Sequence, residues 1–166
     1  MNDGSAARGT SVSQGRALLL HPGFLFITSL AAAGLTEYIL PLQVTTHLSA
    51  RGVVLFLTFL LAVGSLLVAW SLAVMRSHGT PFEPGSTPEA LVTRGPFRRS
   101  RNPMYLALLC FSTGFAILGQ SFWFFAATAA LAAILDRIVI PREEKVMGNT
   151  FGEAYELYRS RVRRWV

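Results

Sequence analysis

The feature that most constrains this chain is a run without a single charged side chain, GVVLFLTFLLAVGSLLVAWSLAVM, at residues 52–75. As an α-helix, this run rises about 1.5 Å per residue and exceeds a hydrocarbon core of about 30 Å. Only 14% of the chain is charged, whereas a soluble domain usually has about 25%. The run therefore predicts a spanning helix in an integral membrane protein.

Three further apolar segments predict that the run belongs to a helical bundle. They cover residues 17–42, 104–119 and 122–140, and only Gln120 and Ser121 separate the last two. So short a connection predicts a tight antiparallel helical hairpin. The expected fold is an all-α integral membrane protein with about four transmembrane helices, forming one domain over residues 17–166.

The remaining segments are polar. Residues 1–16 have the composition of a mobile tail, and residues 76–103 form a loop rich in Pro, Gly and Ser. At its end, Asn102 and Pro103 are typical of a helix cap and a first helical residue. The C-terminal part, 141–166, is expected at the membrane interface. It carries an apolar stripe at helical spacing, which predicts an amphipathic helix: Phe151, Tyr155, Tyr158, Val162 and Trp165.

Basic residues set the expected orientation. The chain has fifteen Lys and Arg against nine Asp and Glu, for a net charge of +6. The basic residues alternate with membrane-length apolar runs, so an anionic membrane surface is a simpler partner than nucleic acid. The 76–103 loop and the C-terminal stretch are rich in arginine, whereas the other two connections hold only Arg51. The positive-inside rule then places both termini and the long loop in the cytoplasm.

Several isolated residues do not indicate a site. Cys110 lies alone in an apolar run and is expected to be a packing residue rather than a disulfide partner or metal ligand. The histidines, at positions 21, 47 and 78, are too dispersed to form a metal cluster. Ionisable residues within spans suggest function by default. Glu37 lies near the opposite face, however, where an interfacial carboxylate is favoured, and Asp136 and Arg137 can pair or extend to the interface.

Two polar clusters are expected to meet at the predicted cytoplasmic face. Arg101-Asn102-Pro103-Met104-Tyr105 precedes the third span, and Glu143-Glu144 follows the fourth. The hairpin makes these two positions neighbours. From charge alone, a salt-bridge cluster that closes the hairpin is the simpler interpretation.

The order of motifs resembles a known superfamily. TxGPFxxxRNPMY, an apolar hairpin, EE and FGxxYxxYxxxVxR are similar to the C-terminal half of the isoprenylcysteine carboxyl methyltransferases and phospholipid methyltransferases. The similarity covers roughly residues 91–164, and the first two spans match only as hydrophobic helices. Asn102 stands where many members have His, and Ala107 where a Gly often stands.

This resemblance implies S-adenosylmethionine at the cytoplasmic face, no metal, and a lipophilic acceptor that arrives from the bilayer. Arginine and a helix start suit the cofactor's carboxylate, acidic groups its ammonium, and aromatic rings its purine or sulfonium. The expected cofactor-binding residues are Arg101, Asn102, Pro103, Tyr105, Glu143, Glu144, Phe151 and Tyr155. Glu144, as a base, and Arg161 are the expected catalytic residues.

Other basic residues have simpler interpretations. Arg98 and Arg99 are expected to anchor the chain to the membrane. Arg161 and Arg163, near the superfamily's tail arginine, suit an acceptor carboxylate or lipid headgroups, and the headgroup interpretation is favoured. The chain's compactness resembles that of prokaryotic members, which implies a bacterial inner membrane.

Three functions compete at this point. The leading one is methyl transfer to an isoprenylcysteine-type carboxylate, a phospholipid amine or a small thiol. The second is an NADPH-dependent reductase of the sterol reductase type, whose C-terminal half is similar. The third is a non-enzymatic membrane adaptor. The sequence specifies neither the acceptor nor the oligomeric state.

Overall fold

The computed structural model describes residues 20–44, 49–79 and 90–166. The predicted tail 1–16, the start of the first span, His47 and residues 80–89 of the long loop lie outside these ranges. Within them the secondary structure is helical, apart from one isolated bridge between Gln43 and Ser121. The predicted all-α membrane fold is confirmed.

Six α-helices form the described fold: α1 Pro22–Ile39, α2 Ala50–Ser77, α3 Pro103–Gly119, α4 Phe122–Ile134, α5 Ile140–Phe151 and α6 Glu153–Arg161. A 3₁₀ turn, Gly95–Arg98, precedes α3, and a π-helical turn, Leu135–Val139, joins α4 to α5. The helices α1 and α2 and the continuous rod Phe122–Phe151 are long and apolar enough to cross a membrane, and α3 is a shorter apolar helix.

Small residues hold the bundle together. The helix α2 packs on α3, α1 packs on α4, and α3 and α4 form the hairpin. A Cβ added to Gly64 would lie 2.5 Å from Cε1 of Phe111, so only glycine permits this approach. The hydroxyls of Ser112 and Thr128 join α3 to α4 at 2.7 Å. Such contacts are typical of membrane bundles, in which lipid already solvates the large apolar side chains.

Glu37 ties α1 to the hairpin turn. Its carboxylate accepts the Ser121 hydroxyl at 2.5 Å, the Leu42 amide at 3.3 Å and the Gln43 side-chain amide at 3.4 Å. Gln120 lies in the left-handed region at φ 46°, which allows the tight turn between α3 and α4. This end of the bundle, the hairpin-turn end, is therefore held by a carboxylate that neutral donors surround.

The helix that holds the fourth apolar segment does not end at Ile140, where the predicted span ends. The helix passes through Pro141 and continues to Phe151. A proline inside a helix lacks the donor amide and its ring collides with a preceding carbonyl. The wider π turn just before Pro141, in which the Ile140 amide donates to Leu135 O, provides the room for the rod to continue.

The apolar stripe of the C-terminal part does not lie on one helix. Gly152 adopts φ 52°, which separates α5 from α6, and α6 ends at Arg161 because Val162 is extended. Tyr155 and Tyr158 are 3% and 9% exposed. They therefore pack against other parts of the protein.

Candidate functional site

Glu144 lies between two arginines at the end of the bundle opposite the hairpin turn. Nη2 of Arg101 is 2.8 Å from Oε1, and Arg164 approaches both carboxylate oxygens, with Nε 3.2 Å from Oε1 and Nη2 2.8 Å from Oε2. The side chains of Glu144 and Arg101 are 12% and 10% exposed. Charge-assisted hydrogen bonds this sheltered are about twice as strong as neutral ones. We call these three residues the Glu144 cluster.

The extended tail after α6, residues 162–166, lies along the segment that leads into α3. The amide of Arg101 donates to Arg163 O at 3.0 Å, while the Ser100 hydroxyl and the Asn102 side-chain amide both donate to Arg164 O, at 3.2 and 3.1 Å. Asn102 precedes α3, as predicted, but its side chain caps no helical amide. Its amide group holds the tail instead.

Arg164 is the residue that sequence reasoning missed. Beyond Glu144, its Nη1 donates to Oδ1 and to the backbone oxygen of Asp136, at 3.1 and 3.2 Å. The hydrogen bonds to Glu144 are the main cause of the raised pKa of its guanidinium. A signal was present, because the motif VxR, read from Val162, has its arginine at position 164. Arg161 is exposed and forms no ion pair within the described ranges.

Several other predicted residues have contacts of their own outside the Glu144 cluster. The Tyr105 hydroxyl donates to Glu143. The rings of Tyr155 and Tyr158 are tilted against each other with centroids 6.2 Å apart. Burial raises the pKa of both phenols. The Tyr158 hydroxyl donates a hydrogen bond to Phe97 O at 2.7 Å. Phe151 is half-buried where α5 ends.

An open cleft of about 530 Å³ lies between α5 and α6, a volume typical of small-ligand sites. Among the predicted residues, only Glu144 lines it. Gly152 contributes open space, since a Cβ added there would meet nothing within 4 Å. Both signs of charge line the cleft: Pro141, Glu144, Lys145, Gly148, Asn149, Gly152, Glu156, Arg159 and Arg164.

One donor of the Glu144 cluster is not satisfied. Nη1 of Arg101 donates to Arg159 O at 3.1 Å and Nη2 contacts Glu144, but Nε is buried and has no partner in the described part of the chain. A buried donor without an acceptor costs about 1–3 kcal/mol. The cluster thus combines a carboxylate, two guanidiniums and a spare donor next to a cleft of mixed charge, which suits a zwitterionic ligand.

Comparison with known proteins confirms the resemblance seen in the motifs. The model of the phospholipid methyltransferase family matches residues 52–154. This range includes α2, the hairpin, the Glu143-Glu144 pair and the start of α6, and it ends before Arg164. No curated protein and no solved structure matches the chain significantly.

Proposed function

We propose, since this chain belongs to the phospholipid methyltransferase family, that it transfers a methyl group from S-adenosylmethionine to a lipophilic acceptor at the cytoplasmic membrane face. Family membership identifies the chain as a methyltransferase for lipid-type substrates. Together with its long apolar helices, it identifies an integral membrane protein. The observation that carries the finer proposal is the Glu144 cluster. Glu144 and Arg164 line a cleft of mixed charge, and Arg101, which binds Glu144, keeps a buried donor without a partner among the described residues.

The residues present fit the cofactor. Arg159 and Arg164 line the cleft and would hold the carboxylate of S-adenosylmethionine, with Arg101 and its buried, unpartnered Nε next to them. Glu156 would hold the ammonium group. When bound, S-adenosylmethionine supplies a methyl group on a positively charged sulfur. The chain's contribution is to orient the reactants, which can account for about 7–11 kcal/mol of a bimolecular barrier, and to exclude water.

The contacts of Glu144 bear on its proposed role as a base. Both of its carboxylate oxygens already accept hydrogen bonds from arginines, so neither is free to receive a proton from an acceptor. We therefore assign to Glu144 the holding of Arg101 and Arg164 in place. Arg161 remains a proposed contact for the acceptor or for lipid headgroups, which its exposed position permits.

The acceptor class and the membrane orientation extend the same proposal. A phospholipid amine is the favoured acceptor because the matching family is described by phospholipid methylation; a carboxylate or a thiol are the others. The Glu144 cluster lies at the end of the bundle that carries Arg98, Arg99 and Arg142, which supports a cytoplasmic position. We place both termini on that side, in a bacterial inner membrane.

Ligand binding to the purified protein in detergent tests this function. S-adenosylhomocysteine should raise the melting temperature, whereas NADPH should not. Labelled S-adenosylmethionine should then methylate a component of a membrane lipid extract. Stabilisation by NADPH alone would support a reductase, and stabilisation by neither would support an adaptor.

A matched pair of variants locates the site. Arg101→Ala should weaken S-adenosylhomocysteine binding at least about tenfold, since hydrogen bonds to charged groups contribute about 1.5–3 kcal/mol. Arg98→Ala, three residues away and exposed, should bind normally. Equal affinities in the two variants would contradict the placement of the cofactor.

A further inference from the structure

We propose that Pro141 is a positioning residue: by leaving the Asp136 carbonyl without a helical donor, it recruits Arg164 and thereby locks the tail onto Glu144. The link to ligand affinity rests on the proposed function, whereas the link to tail docking does not. Neither Pro141 nor Asp136 belongs to the constellation that the motifs indicate.

The hydrogen-bond register of the π turn explains the free carbonyl. The Ile140 amide donates to Leu135 O, five residues earlier. In the same register, the next amide, at position 141, would donate to Asp136 O. Residue 141 is a proline and has no N–H. Backbone carbonyls in folded proteins are almost always paired, so another donor is needed there.

Arg164 supplies that donor. Its Nη1 lies 3.2 Å from Asp136 O and 3.1 Å from the Asp136 carboxylate, while its Nε and Nη2 bind Glu144. A single planar guanidinium therefore bridges the free Asp136 carbonyl of the π turn and the carboxylate of Glu144. The rigid fork of arginine permits this division of donors, which the single ammonium of lysine cannot reproduce.

The bridge fixes the tail as well as the side chain. The backbone oxygen of Arg164 accepts hydrogen bonds from Ser100 and Asn102, and the next residue, Trp165, donates its indole N–H to the Asp136 carboxylate at 3.0 Å. Asp136 thus holds two consecutive tail residues. The tail in turn lies against the backbone of Arg101, which donates to Arg163 O, so the helix break and both arginines of the cluster form one unit.

Tail docking can be measured without any ligand. The chain has three tryptophans, so a Trp70→Phe/Trp123→Phe background leaves Trp165 as the reporter. In this background, Pro141→Ala and Pro141→Val both restore an amide that competes with Arg164 for Asp136 O. We expect Trp165 emission to shift to longer wavelength in both, with a melting temperature that is unchanged or higher because the helix regains a hydrogen bond.

The affinity for S-adenosylhomocysteine should decrease when the tail is less firmly docked. Because the change displaces one hydrogen bond of about 1 kcal/mol, the Kd for S-adenosylhomocysteine should rise about fivefold in both Pro141 variants. Ala and Val differ in volume and would alter the cleft wall differently. Equal Kd values in the two variants would therefore attribute the effect to the new amide and not to the shape of the cleft. Arg163→Gln is the matched control and should change neither emission nor affinity, because within the described ranges the Arg163 side chain hydrogen-bonds to Val166 O alone.

A double variant decides the mechanism. In an Arg164→Gln background, Pro141→Ala should have almost no further effect on emission or affinity, because the donor with which it competes is gone. Fully additive effects, or unchanged Trp165 emission in Pro141→Ala, would overturn the proposal. If the emission shifts as expected while even the unmodified protein binds no S-adenosylhomocysteine, the proposed function fails and the assignment of Pro141 to tail docking stands.

Discussion

The two ends of the bundle each hold a glutamate, and the partners of these glutamates differ. Glu37 accepts hydrogen bonds from a hydroxyl and two amides, all neutral and all close to one turn. Glu144 is bound by two guanidiniums from segments more than 60 residues apart in the chain. The first arrangement ties α1 to the hairpin turn through neutral donors, whereas the second joins three separate parts of the molecule through charges.

The two ends also differ in whether a hydrogen-bond donor is left without an acceptor. At the hairpin-turn end, the donors near Glu37 are directed at its carboxylate. At the other end, a buried donor of Arg101 has no partner in the described structure, and a cleft with both signs of charge lies open beside it. A buried donor without a partner needs an explanation, and the proposed binding site supplies one at the Glu144 end, whereas the Glu37 end offers no such donor among the residues described above.

The largest effect is expected from Glu144→Ala. Removing the carboxylate leaves the sheltered Arg101 without an ion-pair partner and Arg164 with Asp136 alone, and breaking a buried pair typically costs about 3–5 kcal/mol. The free energy of unfolding should fall accordingly, and binding of S-adenosylhomocysteine should become undetectable. Thermal unfolding in detergent and calorimetric titration would measure the two quantities.

Glu144→Gln keeps a hydrogen-bond acceptor and serves if the alanine variant does not fold. It should retain the fold and still bind at least about tenfold more weakly, because charge-assisted hydrogen bonds are roughly twice as strong as neutral ones. Normal affinity in Glu144→Gln would show that the cluster is as purely structural as the Glu37 turn.

The next effect tests the spare donor. Arg101→Lys keeps the positive charge but removes Nε and the contact with Arg159 O, so the affinity for S-adenosylhomocysteine should fall about tenfold. The melting temperature should change little, because the ammonium can still reach Glu144. An unchanged affinity would mean that the unpartnered Nε does not take part in binding.

The apolar runs and the short connection between the third and fourth segments predicted much of this architecture. The hydropathy of the segments predicted the helices, and the two-residue connection predicted that Arg101 and Glu144 would meet, which they do at 2.8 Å. Asn102-Pro103 predicted the start of α3 correctly because a first-turn proline acts locally, although the Asn102 side chain caps no helical amide. These features depend on neighbouring residues or on burial in lipid.

The course of the tail could not be predicted in the same way. Proline usually ends a helix, and nothing local indicates that a π turn would carry the rod past Pro141. Arg161, Arg163 and Arg164 are chemically identical and nearly adjacent. Which of them reaches Glu144 depends on the break at Gly152, the extended Val162 and the contacts of the tail with Ser100 and Asn102, which are long-range interactions.

A smaller effect, confined to stability, is expected at the hairpin-turn end. Glu37→Gln removes a charge that accepts hydrogen bonds from Ser121 and Leu42, so the free energy of unfolding should fall by about 1–2 kcal/mol. The affinity for S-adenosylhomocysteine should stay within twofold of the unmodified protein. A loss of affinity as large as that of Arg101→Lys would remove the distinction between the two ends.

The smallest effect concerns the neutral hydrogen bond that supports the cluster. The Tyr158 hydroxyl binds Phe97 O at 2.7 Å and thereby fastens α6 to the 3₁₀ turn. Tyr158→Phe should lower the free energy of unfolding by about 1 kcal/mol. Tyr155→Phe is the matched control, because the Tyr155 hydroxyl has no hydrogen bond among the described residues. If the two variants unfold alike, the site end owes its shape to its charged residues alone, in full contrast to the neutral donors around Glu37.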